Sequence, residues 1–326
     1  MLTSIIYIVL SLGGLYFGAS WLVKGAASAA ERIGVTPLVV GLTVVAFGTS
    51  MPELIVSVQS AFRDHGDIAV GNAIGSNIAN IGLILGISAL IIPLRTSKQL
   101  LRIDAPVMIL SVILFYVVFL DERIDRWEGI ILFLLLIAYT IFRIYRSMRE
   151  KRPEILTEFM TGIPKITSHW GIDVVLILAG FGLLIISSRF LVLGSVNLAS
   201  MLGMSEAVIG LTIVAFGTSM PELATSVVAA IKKQPDIAIG NVVGSNIFNI
   251  FCILGIAATI HPFSAPNIEM IDIIAMTAFS LLLIPMIWRG LSLNRWEGGL
   301  FLILYVLYMI VVINTEFRNL LISFFG

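Results

Sequence analysis

Long apolar stretches alternate with short polar turns along nearly the whole chain, and runs of about 17 to 25 apolar residues are long enough to cross a bilayer as helices. Such runs have approximate cores at 3–23, 37–62, 68–93, 104–120, 127–145, 172–194, 206–231, 236–261, 270–288 and 297–314. The pattern predicts ten transmembrane helices and an all-α polytopic membrane protein. Trp21, Trp127, Trp170, Trp288 and Trp296 fall near the ends of these runs, where the headgroup region favours an amphipathic indole. The first run lacks a basic leader and a small-residue cleavage site, so it is expected to be retained as a helix.

Internal similarity is the strongest signal in the chain. GLTVVAFGTSMPEL at 41–54 returns as GLTIVAFGTSMPEL at 210–223, a shift of 169 positions, and GDIAVGNAIGSNIANI, ending at Ile81, returns in the same register as PDIAIGNVVGSNIFNI, ending at Ile250. RWEG recurs at 126–129 and 295–298. Roughly 34 of about 53 positions match between 41–93 and 210–262, which marks a duplicated structural unit. Five helices per unit is an odd number, so two consecutive copies must enter the membrane from opposite sides. The expectation is therefore two inverted-topology five-helix repeats, 1–145 and 169–326, joined by a linker at 146–168.

Charge placement tests the inversion. The loop with Arg95, Lys98 and Arg102 corresponds to one with Glu269 and Asp272. The Arg63-Asp64 turn corresponds to Lys232-Lys233, and the acidic Asp121–Asp125 loop to one with Arg289 and Arg295. Placing the Lys98 side and the linker region, with Arg143, Arg146, Arg149, Lys151 and Arg152, in the cytoplasm puts about 15 of the 20 basic residues inside. Both termini are then expected outside a cell membrane.

Composition agrees. Of 326 residues, 58% are hydrophobic and 12% charged, with a mean hydropathy of +1.04, outside the range of ordinary soluble domains. Lys plus Arg balances Asp plus Glu at 20 each, so net charge points to no nucleic acid. The single cysteine, Cys252, excludes an intramolecular disulfide and a Cys-based zinc site and reads as a packing or lipid-facing residue.

Against this apolar background, ionised residues at membrane depth are functional candidates by default. Glu53 and Glu222 occupy equivalent places in the second helix of each half. A pseudo-two-fold axis in the membrane plane would bring them together at the midplane, where two carboxylates repel unless a cation lies between them. Thr49 and Ser50 precede Glu53 as Thr218 and Ser219 precede Glu222. Pro52 and Pro221 cannot donate to the carbonyls of Gly48 and Gly217, so the helix is expected to break there, with carbonyls near Ala46 and Ala215 as further oxygen ligands. The GN-x-x-GSN-x-x-N element places Ser76 and Asn80, or Ser245 and Asn249, one turn apart on one helix face. Asn72 and Asn241 read as interhelical hydrogen-bonding groups outside the ligand set. Asp67 and Asp236 read as complements to a helix N-terminal dipole, and Arg189 as an interface anchor. An all-oxygen set without His or Cys suits a hard cation, calcium or sodium, not zinc or copper.

The duplicated, inverted GTSMPE and GSN-x-x-N segments resemble the alpha repeats of the calcium/cation antiporter superfamily, most nearly the compact prokaryotic sodium/calcium exchangers. The likeness implies ten helices with ion sites between the second, third, seventh and eighth. It implies that Glu53 and Glu222 are shared calcium and sodium ligands, completed by Thr49, Ser50, Thr218, Ser219, Ser76 and Ser245, with carbonyls from Ala46 and Ala215. Some relatives, including potassium-dependent members, carry an aspartate at the position of Asn249, which argues against potassium co-transport.

The expected function is antiport of Ca2+ for Na+ by alternating access within the lipid bilayer, with the ions as substrates and no cofactor or obligatory protein partner. Exchange of H+ for Ca2+ is the alternative. A channel would need a ring of subunits or loops around its filter. An enzyme is not expected: G-x-S-x-G and H-E-x-x-H are absent.

Overall fold

The structure, a computed structural model, describes residues 2–149, 169–201 and 215–313. Within these limits the chain is helical apart from short connections, which carry four two-residue strands. Helix α1 spans Leu2–Ile33, well beyond the predicted apolar core. Helix α2 is broken into α2a (Pro37–Thr49) and α2b (Met51–Phe62), bent by 48° at Ser50. Helices α3 (Gly66–Ile91), α4 (Leu100–Val118) and α5 (Arg126–Arg149) complete the first half. The second half begins with α6 (Trp170–Met201), and the predicted span 206–231 is described from Ala215 onward as α7a (Ala215–Thr218) and α7b (Met220–Ile231). Helices α8 (Pro235–Ile260), α9 (Met270–Trp288) and α10 (Arg295–Ile313) follow. Helix α5 continues to Arg149, so the first residues of the expected linker are helical, and 150–168 lies outside the described residues.

Burial sorts the helices into a centre and a rim. In α8 83% of the spanning window is buried and in α3 72%, against 28% in α1, 22% in α6 and 11% in α10. Helices α3 and α8 therefore form the centre of the bundle and expose little to lipid. Helices α1 and α6 pack along each other, backbone to backbone: a Cβ on Gly18 would lie 3.1 Å from the Gly180 carbonyl, and one on Gly180 would lie 2.8 Å from the Leu22 nitrogen. Arg32 on α1 also pairs with the buried Asp173 on α6 at 2.7 Å. The five tryptophans are all substantially exposed; Trp127, Trp170, Trp288 and Trp296 sit at helix ends, whereas Trp21 lies within the extended α1.

The repeat extends to single backbone angles and hydrogen bonds. Asp64 and Lys233 both adopt positive φ, and so do Glu122 and Leu291, each pair 169 positions apart. Strand β1 (Leu94–Arg95) pairs antiparallel with β4 (Ser292–Leu293), and β2 (Arg123–Ile124) with β3 (Phe263–Ser264). Thr96 N–H donating to Leu291 O extends one ladder, and Ala265 N–H donating to Glu122 O the other, each at 2.8 Å. Each strand thus pairs with one from the opposite half, which satisfies loop backbone groups that the neighbouring helices would otherwise leave unbonded.

Three residues take positions or partners that the sequence reading did not specify. Arg143, grouped there with the cytoplasmic basic residues, is fully buried on the inner face of α5, where it pairs with the equally buried Asp104 of α4 at 2.7 Å. Tyr139 donates to the same carboxylate at 2.8 Å. Asp67, read as a helix-dipole complement, accepts from the backbone N–H and side-chain amide of Asn267, each at 2.9 Å. Cys252 is buried, which selects packing over a lipid-facing position.

Candidate functional site

The break in α2 determines where Glu53 points. Pro52 lacks the N–H that would continue the helix, and Ser50 takes φ −83°, ψ 8° in place of helical values. Ser219 repeats that geometry at φ −86°, ψ 6° before Pro221. Each glutamate therefore lies in the first turn of a new helix, and both are 1% exposed. A carboxylate at a helix N-terminus is favoured by the exposed backbone N–H groups and by the helix dipole.

The two halves meet at these carboxylates. Ser50 Oγ donates to Glu222 Oε1 at 3.0 Å, and Ser219 Oγ donates to Glu53 Oε1 at 3.3 Å. Ser245 Oγ lies 3.1 Å from Ser50 Oγ, joining α8 to the same cluster. Asn72 donates through Nδ2 to the Glu53 carbonyl at 3.1 Å and to Ser57 Oγ at 2.9 Å. Asn241 does the same with the Glu222 carbonyl at 3.4 Å and Ser226 Oγ at 3.0 Å. These amides tie the third helix of each half to the second, the packing role expected of them.

Helices α3 and α8 widen into π turns at Asn80–Leu85 and Asn249–Leu254, each beginning at a residue predicted as a ligand. Asn80 Nδ2 donates to Asn246 Oδ1, and Asn249 Nδ2 donates to Asn77 Oδ1, both at 2.9 Å. The amide nitrogens are occupied across the repeat. Asn80 Oδ1, Asn249 Oδ1, Glu53 Oε2 and Glu222 Oε2 are buried with no hydrogen-bond partner among the described residues.

The remaining predicted residues take more local positions. Thr49 is buried, and its hydroxyl lies 3.1 Å from the Val45 carbonyl and 3.0 Å from Asn241 Oδ1. The Ala46 carbonyl accepts the Ser50 N–H at 3.0 Å and lies 3.3 Å from the Thr49 hydroxyl. The Gly217 carbonyl, released by Pro221, accepts from Ser188 of α6. Ser76 lines, with Ser219, Asn72 and Gly217, a cavity of about 1190 Å³ that also borders α1, α6 and α10. Thr218 and the backbone of Ala215 lie in the short α7a that leads into the break. Among the described residues no cluster of three His, Cys, Asp or Glu side chains is present, so a cation here would rest on two acids and neutral oxygens.

The sequence reading assigned no role to Asn77, Asn246, Ser57 or Ser226. Their signal was available: each is a polar residue that recurs at the 169-residue shift inside an apolar helix.

The sodium/calcium exchanger protein model matches residues 3–145 and 172–314, which is nearly all of both halves. The chain belongs to the sodium/calcium exchanger family. As a member it is a multi-pass secondary transporter with the ten-helix inverted-repeat fold, and not an enzyme. It is 32% identical to the sodium/calcium exchanger MaX1 of Methanosarcina acetivorans, over 94% of this chain and 98% of the relative. It is 34% identical to the inner membrane protein YrbG of Escherichia coli, over 89% and 90%. A solved structure of the sodium-calcium exchanger NCX_Mj, soaked without Na+ and Ca2+, superposes with a TM-score of 0.83 at 32% identity, covering 95% of this chain and 99% of that one.

Proposed function

We propose that this exchanger-family chain carries Ca2+ one way and Na+ the other through a single midplane site built on Glu53 and Glu222. The observation that carries the reading is the set of four buried oxygens that find no donor among the described residues, Glu53 Oε2, Glu222 Oε2, Asn80 Oδ1 and Asn249 Oδ1, two from each half. Orphaned buried acceptors are costly. A desolvated cation satisfies all of them at once, and the two carboxylates together match the charge of one calcium ion. Hydroxyls of Ser50, Ser219, Ser76, Ser245, Thr49 and Thr218, with the Ala46 and Ala215 carbonyls, supply the further oxygens that calcium's six to eight coordination positions require.

Calcium and sodium compete for overlapping oxygens, so occupancy by one excludes the other. Alternating access then follows from movement of the rim, with α1 and α6 shifting along the central α3/α8 body to expose the site to one side at a time. Positive-inside bias supports a cell-membrane orientation with both termini outside and the 146–168 linker cytoplasmic, between half-domains 1–145 and 169–326.

The test is calcium uptake by purified protein in sodium-loaded liposomes. Removing external sodium is expected to drive uptake, and Glu53→Gln or Glu222→Gln to abolish it. Equal uptake driven by a pH gradient without sodium would replace sodium with protons as the counter-ion.

A further inference from the structure

An asparagine amide offers oxygen on one side and two N–H donors on the other. Asn80 and Asn249 can serve a cation only if the oxygen faces it, and their immediate neighbours decide which end does. Asn77 Nδ2 lies 3.4 Å from the backbone carbonyl of Asn246, and Asn246 Nδ2 lies 3.3 Å from the backbone carbonyl of Asn77. A carbonyl oxygen can only accept. Those two contacts therefore fix both amides with nitrogen toward the opposite backbone and oxygen away from it. The nitrogens gain a second, weaker acceptor in the sulfurs of Met276 and Met108, at 3.5 Å and 3.8 Å.

The oxygens so exposed meet the next pair of amides. Asn77 Oδ1 accepts from Asn249 Nδ2 and Asn246 Oδ1 from Asn80 Nδ2, both at 2.9 Å. A flipped Asn249 or Asn80 would set oxygen against oxygen, so each must turn its own Oδ1 elsewhere. Those two amide oxygens remain buried without a donor among the described residues. All four asparagines are 1% exposed, so water does not compete for the arrangement.

We infer that Asn77 and Asn246 are positioning residues that hold the amides of Asn249 and Asn80, each in the opposite half, with oxygen toward the transported ion. The inference rests on the two-glutamate exchange site proposed above. Each half thereby orients a ligand of the other.

The test measures the calcium concentration for half-maximal uptake into sodium-loaded liposomes, with thermal stability in detergent as a folding control. Asn77→Leu is expected to raise that concentration by roughly ten- to a hundredfold, the usual range for loss of a ligand's supporting partner. The added effect of Asn77→Leu should vanish in an Asn249→Ala background and persist in an Asn80→Ala background. Equal losses in all three backgrounds would reduce Asn77 to a packing residue and overturn the inference. If Asn249→Ala alone leaves the half-saturating concentration unchanged, the ligand site itself fails, and the positioning role with it. Should Asn77→Leu not fold, Asn246→Leu tests the mirrored arrangement, with Asn80→Ala and Asn249→Ala exchanging roles.

Discussion

Ser50 of the first half donates its hydroxyl to the carboxylate of Glu222 in the second at 3.0 Å, and Ser219 returns the contact to Glu53 at 3.3 Å. Neither glutamate is held by its own half alone. The GTSMPE motif works as a reciprocal pair: its serine serves the other copy's acid, while its proline places that acid at the start of a new helix.

Removing either hydroxyl should therefore weaken calcium binding through the opposite glutamate. A hydrogen bond to a charged group contributes about 1.5–3 kcal/mol, so Ser50→Ala and Ser219→Ala are each expected to raise half-saturating calcium by at least tenfold in the liposome assay. Ser50→Ala should have the larger effect, because Ser50 also contacts Ser245. Threonine at either position keeps the hydroxyl and should restore most of the loss.

An ion that binds only the folded protein must stabilise it. At a hundred times the dissociation constant, one bound ion adds about 2.7 kcal/mol. Calcium should raise the thermal denaturation midpoint of the detergent-solubilised protein, and Glu222→Gln should remain folded but lose that shift. A calcium-dependent shift of the same size in the variant would count against the site.

Close packing at the centre gives a sharper steric prediction. A Cβ on Gly244 would lie 2.7 Å from the Leu42 Cα and carbonyl oxygen and 2.8 Å from the Ala46 Cβ. Gly244→Ala would push α8 away from α2a, at a cost of about 1–3 kcal/mol typical of overpacking, with loss of both stability and uptake. Gly299→Ala meets only Leu90 Cδ2 at 3.8 Å and should be tolerated. Melting curves of the two variants decide the matter.

The buried Asp104–Arg143 pair should be more damaging to break than to remove. Arg143→Leu leaves a fully buried carboxylate without its cation, an error that costs about 3–5 kcal/mol. The double change Asp104→Leu with Arg143→Leu should recover much of that stability. In the second half, Asp272 is met by Tyr308 at 2.9 Å, and Val312 occupies the place equivalent to Arg143. Expression level and melting temperature of the single and double variants test this.

The spans and the repeat were legible because each leaves a one-dimensional trace: apolar length and a fixed shift. The break in α2 was legible from Pro52, although the bend falls at Ser50. Hydroxyl direction was not, because a serine or threonine on a helix can bond back to its own backbone, as Thr49 does toward Val45, or across to a neighbour, as Ser50 does. The orienting role of Asn77 depends on an amide 169 residues away, reached through α3/α8 packing that no local pattern encodes. The pairing of Arg143 with Asp104 left no trace in the sequence, because Arg143 stands among the equally basic Arg146 and Arg149. Its burial follows from the rotation of α5, which carries Tyr139, Arg143 and Ser147 onto one inward stripe.

The small ladders that join the halves bear on how the chain assembles during synthesis. Leu94 must find Leu293, nearly 200 residues later, and Ile124 must find Phe263. Those loop groups stay unpaired while the second set of helices is still being made, and such distant pairings form late. The loops of the first five helices therefore wait for partners that only the second half supplies, so the backbone of either half by itself is left with open edges.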